Sequence, residues 1–138
     1  MSIYRQESTL LTPVRTHLRR KGFFQQRPEM QFFEYSMDIY GYASRSDRTT
    51  AVELKIARWP RAFEQSLVYQ LCADFVYMAL PAEAAIRVDR LLIAEHGLGL
   101  IAVHRGPKCV VLIEAEPSQV IIPSYRDFYI ALLTEESA

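Results

Sequence analysis

Cysteine, histidine and glycine are scarce in this chain, and their scarcity excludes several kinds of site. The 138 residues include only two cysteines, Cys72 and Cys109, which form no CxxC or Cys/His pattern. This spacing predicts neither a zinc site nor a disulfide framework, so we expect buried free thiols. The three histidines lack metal-ligand spacing, and the five glycines form no GxGxxG or P-loop motif. ATP-dependent chemistry in this chain is therefore not expected.

Long apolar segments are also absent. The longest ones, Leu98 to Val103 and Cys109 to Ile113, have the length of strands and are too short to span a bilayer. The first ten residues mix Arg5, Gln6 and Glu7 with apolar residues and lack the hydrophobic core of a secretory signal. We therefore expect a cytoplasmic protein without a membrane partner.

The overall composition is that of an ordinary globular protein. Half of the residues are hydrophobic and 23% are charged, which predicts one compact domain over residues 1–138. The net charge is zero, but residues 1–69 carry +4 and residues 70–138 carry −4. This asymmetry is compatible with a basic surface on the N-terminal half, although it is too small to indicate nucleic acid by itself.

Apolar periodicity and turn residues predict the element order α-β-β-β-α-β-α-β-β-α. The predicted helices cover residues 8–21, 61–73, 82–95 and 125–134. The predicted strands cover residues 29–34, 37–42, 50–56, 74–80, 98–104 and 109–115. This alternation indicates an α/β fold with a single mixed central β-sheet flanked by helices.

Three charged residues on two neighbouring predicted strands could carry chemistry. Glu53 and Lys55 alternate along the third strand and therefore project from one face. Asp38 lies on the preceding strand, and pairing across the turn at residues 44–49 brings it near Glu53. Neighbouring carboxylates repel each other unless a cation neutralises them, and their hard oxygen atoms suit Mg²⁺ or Mn²⁺. A phosphodiester is a suitable substrate for such an ion, with Lys55 orienting water or stabilising the developing charge.

The spacing of these residues resembles a known nuclease motif. Asp38, fourteen intervening residues and then Glu53-Leu54-Lys55 resemble the D…(D/E)xK core of the PD-(D/E)xK, or restriction-endonuclease-like, superfamily. Met37 stands where that motif has its proline. Gln65 and Tyr69 on the next predicted helix resemble the Q-x-x-x-Y element of some branches. The elements predicted before residue 80 also follow the order of that fold.

The resemblance implies a restriction-endonuclease-like core and a divalent-metal-dependent nuclease that hydrolyses DNA, with RNA as another possible substrate. It assigns Asp38 and Glu53 as ligands of Mg²⁺ or Mn²⁺, with the backbone carbonyl of Leu54 or Ile56 completing the shell. It makes Lys55 and Gln65 the remaining catalytic residues. The supporting residues that it suggests are Tyr69 and an upstream acid, either Glu7 or Glu29.

Basic and aromatic residues are candidates for nucleic-acid contacts. The densest basic region would bind phosphates or simply solvate the first helix, and it consists of Arg15, Arg19, Arg20, Lys21 and Arg27. Trp59 would stack on a base or, as we favour, cover the core. Because no recognition module is appended, we expect a homodimer or a partner protein to supply substrate grip.

Other interpretations of the same residues stay open. Taken alone, a strand with Glu53 and Lys55 two positions apart is usually a solvated face bearing an ion pair. Gln65 and Tyr69, taken singly, are more often polar residues at the margin of a helix. The alternative function is therefore a catalytically inactive nuclease-fold subunit that binds nucleic acid or a protein partner. A structural ion-pair network in an unrelated α/β protein is the third interpretation.

Overall fold

The computed structural model describes residues 6–137 of the chain, with side chains described for residues 6–135. A 3-10 turn, Glu7–Leu10, precedes the first helix. The helices are α1 (Leu11–Arg20), α2 (Trp59–Tyr69), α3 (Ala82–Ala85), α4 (Arg90–Glu95) and α5 (Pro123–Ser137). The strands are β1 (Gln25–Phe32), β2 (Tyr35–Ala43), β3 (Arg48–Leu54), β4 (Phe75–Pro81), β5 (Gly99–His104) and β6 (Lys108–Ile113).

All six strands form one mixed sheet, so the predicted α/β class is confirmed. The strands lie in chain order from β1 to β6. Pairing is antiparallel from β1 to β3, parallel from β3 to β5, and antiparallel again between β5 and β6. Short turns join the antiparallel neighbours, whereas the parallel ones are joined through α2 and through α3 with α4, as parallel pairing requires a crossover.

An apolar cluster lies on each face of the sheet. Val14 and Leu18 of α1 belong to the smaller cluster, which also contains Val52 of β3. Tyr69 of α2 and Tyr129 of α5 belong to the larger cluster on the other face. Because successive strand residues point to opposite faces, the residue after Val52 projects towards α2.

The prediction of one helix over residues 82–95 is wrong. Two short helices, α3 and α4, cover this segment, and residues 86–89 separate them. The side chain of Asp89 accepts a hydrogen bond from the Leu92 backbone nitrogen at 3.2 Å and so caps the start of α4. Aspartate favours this capping arrangement over a position inside a helix, which accounts for the break.

Several strand boundaries also differ from the prediction, and two of them are described here. The β1 strand begins at Gln25 rather than residue 29, because its polar first half still pairs with β2, where Gln25 lies opposite Tyr42. The β3 strand ends at Leu54, so Lys55 lies just beyond it. The Lys55 backbone nitrogen nevertheless donates to the Ala79 carbonyl at 3.0 Å, which keeps Lys55 aligned with β4.

A group of four residues, named here the Asp74 cluster, fastens α5 to the start of β3. Asp74 Oδ2 accepts hydrogen bonds from the backbone nitrogen and the hydroxyl of Thr49 at 2.8 and 2.9 Å. Arg126 Nε of α5 donates to the same oxygen at 2.9 Å. Arg126 Nη2 also donates to the carbonyl oxygen of Asp47 at 2.7 Å. The cluster therefore joins three segments that are distant in sequence.

No helix within residues 6–137 combines the length and the apolar character needed to cross a lipid bilayer.

Candidate active site

Asp38 and Glu53, named here the acid pair, lie side by side at the end of β3. Ile39 of β2 is opposite Val52 of β3, and continuing this antiparallel register places Asp38 opposite Glu53. Asp38 Oδ2 accepts a hydrogen bond from the Leu54 backbone nitrogen at 2.7 Å. Glu53 is only 4% exposed. The structure thus brings together the two carboxylates that the sequence predicted to be neighbours.

Lys55 completes the expected trio, but at long distances. Its Nζ atom lies 3.8 Å from Glu53 Oε2 and 3.8 Å from Glu7 Oε1. Both distances exceed those of ordinary hydrogen bonds. The ammonium group is therefore placed beside two carboxylates without being tightly bonded to either of them.

Helix α2 carries two further predicted residues, and Tyr69 contacts the acid pair. The Tyr69 hydroxyl donates to Glu53 Oε1 at 2.9 Å, and the carbonyl oxygen of Ser36 lies 3.2 Å from the same hydroxyl. Gln65 lies one helical turn earlier, on the same side of α2. Its Oε1 atom is buried and accepts no hydrogen bond within the described part of the chain. Such an unsatisfied buried acceptor costs about 1–3 kcal/mol.

The electrostatics of the acid pair differ from those of a structural ion pair. Burial raises the pKa of Asp38, and the charge of Glu7 adds to this effect. Burial, together with the negative charge of Asp38, raises the pKa of Glu53 to about 8. Burial and the charge of Glu53 also raise the pKa of Tyr69, so its hydroxyl keeps the proton that it donates. Glu53 therefore retains its proton near neutral pH unless a cation reaches the pair.

The acid pair supplies part of the ligand set that a divalent ion requires. Among residues 6–137, no group of three or more His, Cys, Asp or Glu side chains is arranged to hold a metal ion. The acid pair offers two carboxylates, and Mg²⁺ is commonly held by one or two carboxylates together with water and substrate phosphate oxygens. The raised pKa values of Asp38 and Glu53 are those of acids that lack a compensating cation. This set is compatible with Mg²⁺ or Mn²⁺ bound largely through water and substrate.

Two clefts adjoin the acid pair and meet at Glu7, which lines both. The acidic cleft, of about 150 Å³, is lined by Glu29 and Asp38 among others. The basic cleft, of about 460 Å³, is lined by Lys55, Arg58 and Arg61. Both upstream acids suggested by the sequence therefore border the site. Glu7 is the one whose charge raises the pKa values of Asp38 and Glu53.

The sequence interpretation missed Arg58 and Arg61. Both are exposed and lie at the start of α2, directly after the strand that carries Glu53. Arg58 adopts a left-handed backbone conformation, with φ of 57°, which a non-glycine residue rarely takes. The sequence Arg58-Trp59-Pro60-Arg61 could have indicated these two residues. It follows the strand that carries Glu53 and begins the next helix, so its side chains lie near the end of that strand.

The basic residues of α1 lie elsewhere. Arg15 is half-buried, and its Nε atom donates to Gln26 Oε1 at 3.2 Å, which fixes it in the fold. Arg19, Arg20 and Lys21 are exposed at the far end of α1. Ten helical residues span about 15 Å, so these three lie well away from the acid pair.

Other residues singled out from the sequence take places in the core. Trp59 is partly buried and packs against the larger apolar cluster. Cys72 is buried, Cys109 is half-buried, and both are free thiols. These three residues are therefore assigned to the core and not to the candidate site.

Comparison with known proteins extends the description of the fold. No protein-family model and no curated protein sequence matches the chain. A solved structure of a protein of unknown function from Silicibacter pomeroyi is similar, with a TM-score of 0.71 and 20% sequence identity. The match covers 96% of this chain and 86% of that protein. At this identity the similarity concerns the fold alone.

Proposed function

We propose that the protein is a divalent-metal-dependent nuclease that hydrolyses phosphodiester bonds in DNA. The observation that carries this proposal is the acid pair, whose members have raised pKa values although Lys55 lies 3.8 Å from Glu53. An ion pair that only stabilised the fold would lower the pKa values of its carboxyls. The carboxyls at this position lack a compensating charge, which instead suits a bound cation.

Each residue of the site has a definable part in this proposal. Asp38 and Glu53 would hold the ion, and the hydrogen bonds from Leu54 and Tyr69 fix their carboxylates. When bound, Mg²⁺ or Mn²⁺ supplies Lewis-acid stabilisation and lowers the pKa of a coordinated water. Lys55 would stabilise the negative charge that develops on the phosphate.

Gln65 and the basic cleft would position the other reactants. The free Oε1 atom of Gln65 can accept a hydrogen bond from a water beside the acid pair. Arg58 and Arg61 line the cleft that begins at Lys55, where they would bind phosphates next to the scissile one. In this proposal a negatively charged strand would lie next to the carboxylates without contacting the basic end of α1.

The direct test is cleavage of labelled single-stranded, double-stranded and branched DNA, and of RNA, with Mg²⁺ or Mn²⁺. The proposal expects metal-dependent cutting that is lost in Glu53→Gln and Lys55→Ala. Glu64→Gln, an exposed acid on α2, and Lys108→Ala, an exposed lysine on β6, are matched controls that should cut normally. Absence of cutting, with no calorimetric metal binding that depends on the acid pair, would rule the nuclease out.

Two observations favour the alternative function, a nuclease-fold subunit that binds nucleic acid or a protein partner without catalysis. The described residues include no three-ligand metal group, and Glu7 lies beside Lys55 where a phosphate would approach. This alternative expects metal-independent DNA or protein binding that survives Glu53→Gln. Light scattering with and without DNA would show whether a homodimer supplies the substrate grip.

A further inference from the structure

A separate cavity of about 290 Å³ lies beside the C-terminal half of α1, on the sheet face that α1 covers. The residues that line it all differ from those that line the acidic and basic clefts. We name it the α1 cavity. The 3-10 turn that carries Glu7 lies at the other end of α1, so this cavity is independent of the acid pair.

Two aromatic residues of β4 form one wall of the α1 cavity. Phe75 and Tyr77 alternate along the strand and therefore share a face. Gly99 of β5 lies opposite Tyr77, and a Cβ atom at Gly99 would come within 2.3 Å of the Tyr77 ring. Only glycine leaves room for this ring against the sheet. The Tyr77 hydroxyl donates to Glu114 Oε2 at 2.8 Å, which fixes the ring's orientation.

Charged and polar groups border the same space. Lys21 directly follows α1, Arg48 begins β3, and the Arg48 guanidinium lies 5.5 Å from the centre of the Phe75 ring. Burial and the charge of Lys21 lower the pKa of His17, which favours a neutral imidazole. His17 and Glu114 can therefore offer hydrogen bonds while Lys21 and Arg48 provide positive charge.

We propose that the α1 cavity binds a planar ring that carries an anionic group, the chemistry of a nucleoside phosphate. A volume of about 290 Å³ is at the small end of ligand sites, which suits one ring system with one charged group. The ring would pack on Phe75 and Tyr77, and the phosphate would bind Lys21 and Arg48. An aliphatic anion would leave the aromatic wall unused, and an uncharged ring would leave both cations unused.

Two sources share this chemistry, a free nucleotide and the phosphorylated end of a nucleic-acid strand. Calorimetric titration of the full chain in EDTA would use a nucleoside 5′-monophosphate, the matching nucleoside, inorganic phosphate and a short 5′-phosphorylated oligonucleotide. The monophosphate should bind about tenfold or more tightly than the nucleoside or inorganic phosphate. An oligonucleotide that binds more tightly than the monophosphate identifies a strand end as the ligand, and the reverse order identifies a free nucleotide.

Variants locate the binding and separate it from the proposed nuclease. Arg48→Ala and Lys21→Ala should each weaken binding of the monophosphate by about tenfold. Arg105→Ala, in the exposed turn of the last hairpin, should leave this affinity unchanged. Glu53→Gln should keep the affinity even if it abolishes DNA cleavage, so the two proposals fail independently. Equal affinity for phosphate and monophosphate, no binding, or unchanged affinity in both cavity variants would overturn the assignment.

Discussion

The two ends of β3 each carry carboxylates beside a cation, but they satisfy these charges differently. In the Asp74 cluster, Asp74 receives hydrogen bonds of 3.1 Å or less from Thr49 and Arg126. In the acid pair, Glu53 has its nearest ammonium, that of Lys55, at 3.8 Å. The first arrangement holds the fold together, and the second leaves charge available to a ligand.

This contrast distinguishes a carboxylate whose charge is compensated within the fold from carboxylates whose charges are not. A buried charge costs free energy unless hydrogen bonds and an opposite charge offset that cost. Asp74 meets this condition with partners from β3 and α5. The acid pair does not, because burial raises both pKa values, and the charge of Glu7 adds to this effect at Asp38 as the charge of Asp38 does at Glu53. The predictions below test the contrast, beginning with the largest expected effect.

Removing either charge of the acid pair should abolish activity. If the protein is a nuclease, Asp38→Asn and Glu53→Gln should each reduce metal-dependent cleavage by about 10³-fold or more, since each removes a ligand of the ion. Arg126→Lys, a change within the Asp74 cluster, should leave the cleavage rate of the folded enzyme nearly unchanged. Similar losses of activity in all three folded variants would erase the distinction between the two ends of β3.

Breaking the Asp74 cluster should reduce stability. Asp74→Ala removes the carboxylate that accepts hydrogen bonds from Arg126 Nε and Thr49, and we expect the free energy of unfolding to fall by about 2–3 kcal/mol. Urea denaturation followed by circular dichroism measures this change. Asp127→Ala, on an exposed position of α5 next to Arg126, is the matched control and should change stability by less than about 0.5 kcal/mol. A neutral effect of Asp74→Ala would contradict a structural role for the cluster.

Neutralising Glu53 should stabilise the metal-free protein at high pH. The pKa of Glu53 is raised from 4.5 to about 8 in the folded state. The folded state therefore gains stability from protonated Glu53. This stability is fully present below the pKa of Glu53 in the unfolded chain, and it is lost as pH rises through the pKa of Glu53 in the folded protein. In EDTA near pH 8.5, Glu53→Gln should unfold with a free energy about 1–2 kcal/mol higher than the native protein, an advantage that vanishes below about pH 4.5.

The opposite result would remove the argument for an unsatisfied site. If Glu53→Gln destabilises the metal-free protein near pH 8.5, the Glu53 carboxylate is well compensated by Lys55 and Tyr69. Adding Mg²⁺ to both proteins provides a further check. The ion should stabilise the native protein more than the variant, because binding to the folded state adds to its stability.

The smallest effect concerns the basic cleft. Arg58→Ala and Arg61→Ala should each weaken DNA binding a few-fold and lower the slope of log affinity against log salt by about one unit. Fluorescence anisotropy in Ca²⁺ or EDTA would measure binding without cleavage. Arg19→Ala, at the far end of α1, is the control and should change neither the DNA affinity nor its salt dependence. If Arg19→Ala weakened DNA binding more than Arg58→Ala and Arg61→Ala do, the DNA strand would contact α1 rather than the basic cleft.

The sequence was sufficient to predict the acid pair because its geometry depends on local rules. Side-chain alternation puts Glu53 and Lys55 on one side, and a short turn between β2 and β3 sets the register that brings Asp38 to Glu53. The α/β class was predictable for the same reason. Each of these inferences needs only segments that are neighbours in sequence and the regular spacing of apolar residues within them.

Long-range partners could not be predicted in this way. Asp74 and Arg126 are 52 residues apart, and no local pattern indicates that α5 returns to the start of β3. The break at Asp89 was missed because the apolar pattern continues across it, whereas a single side-chain cap decides it. Arg58 and Arg61 were not predicted as nucleic-acid contacts because basic residues are denser on α1.

The strictly sequential order of the six strands has a consequence for how the chain folds. Every strand pairs with a strand next to it along the chain, so the β1 to β3 meander needs only nearby contacts to form. Loop-closure entropy favours such early pairing, while the Asp74 cluster must wait for α5. Both acids would therefore be in register before the last helix docks. Pulse-labelled hydrogen exchange should protect β2 and β3 amides earlier than those of α5.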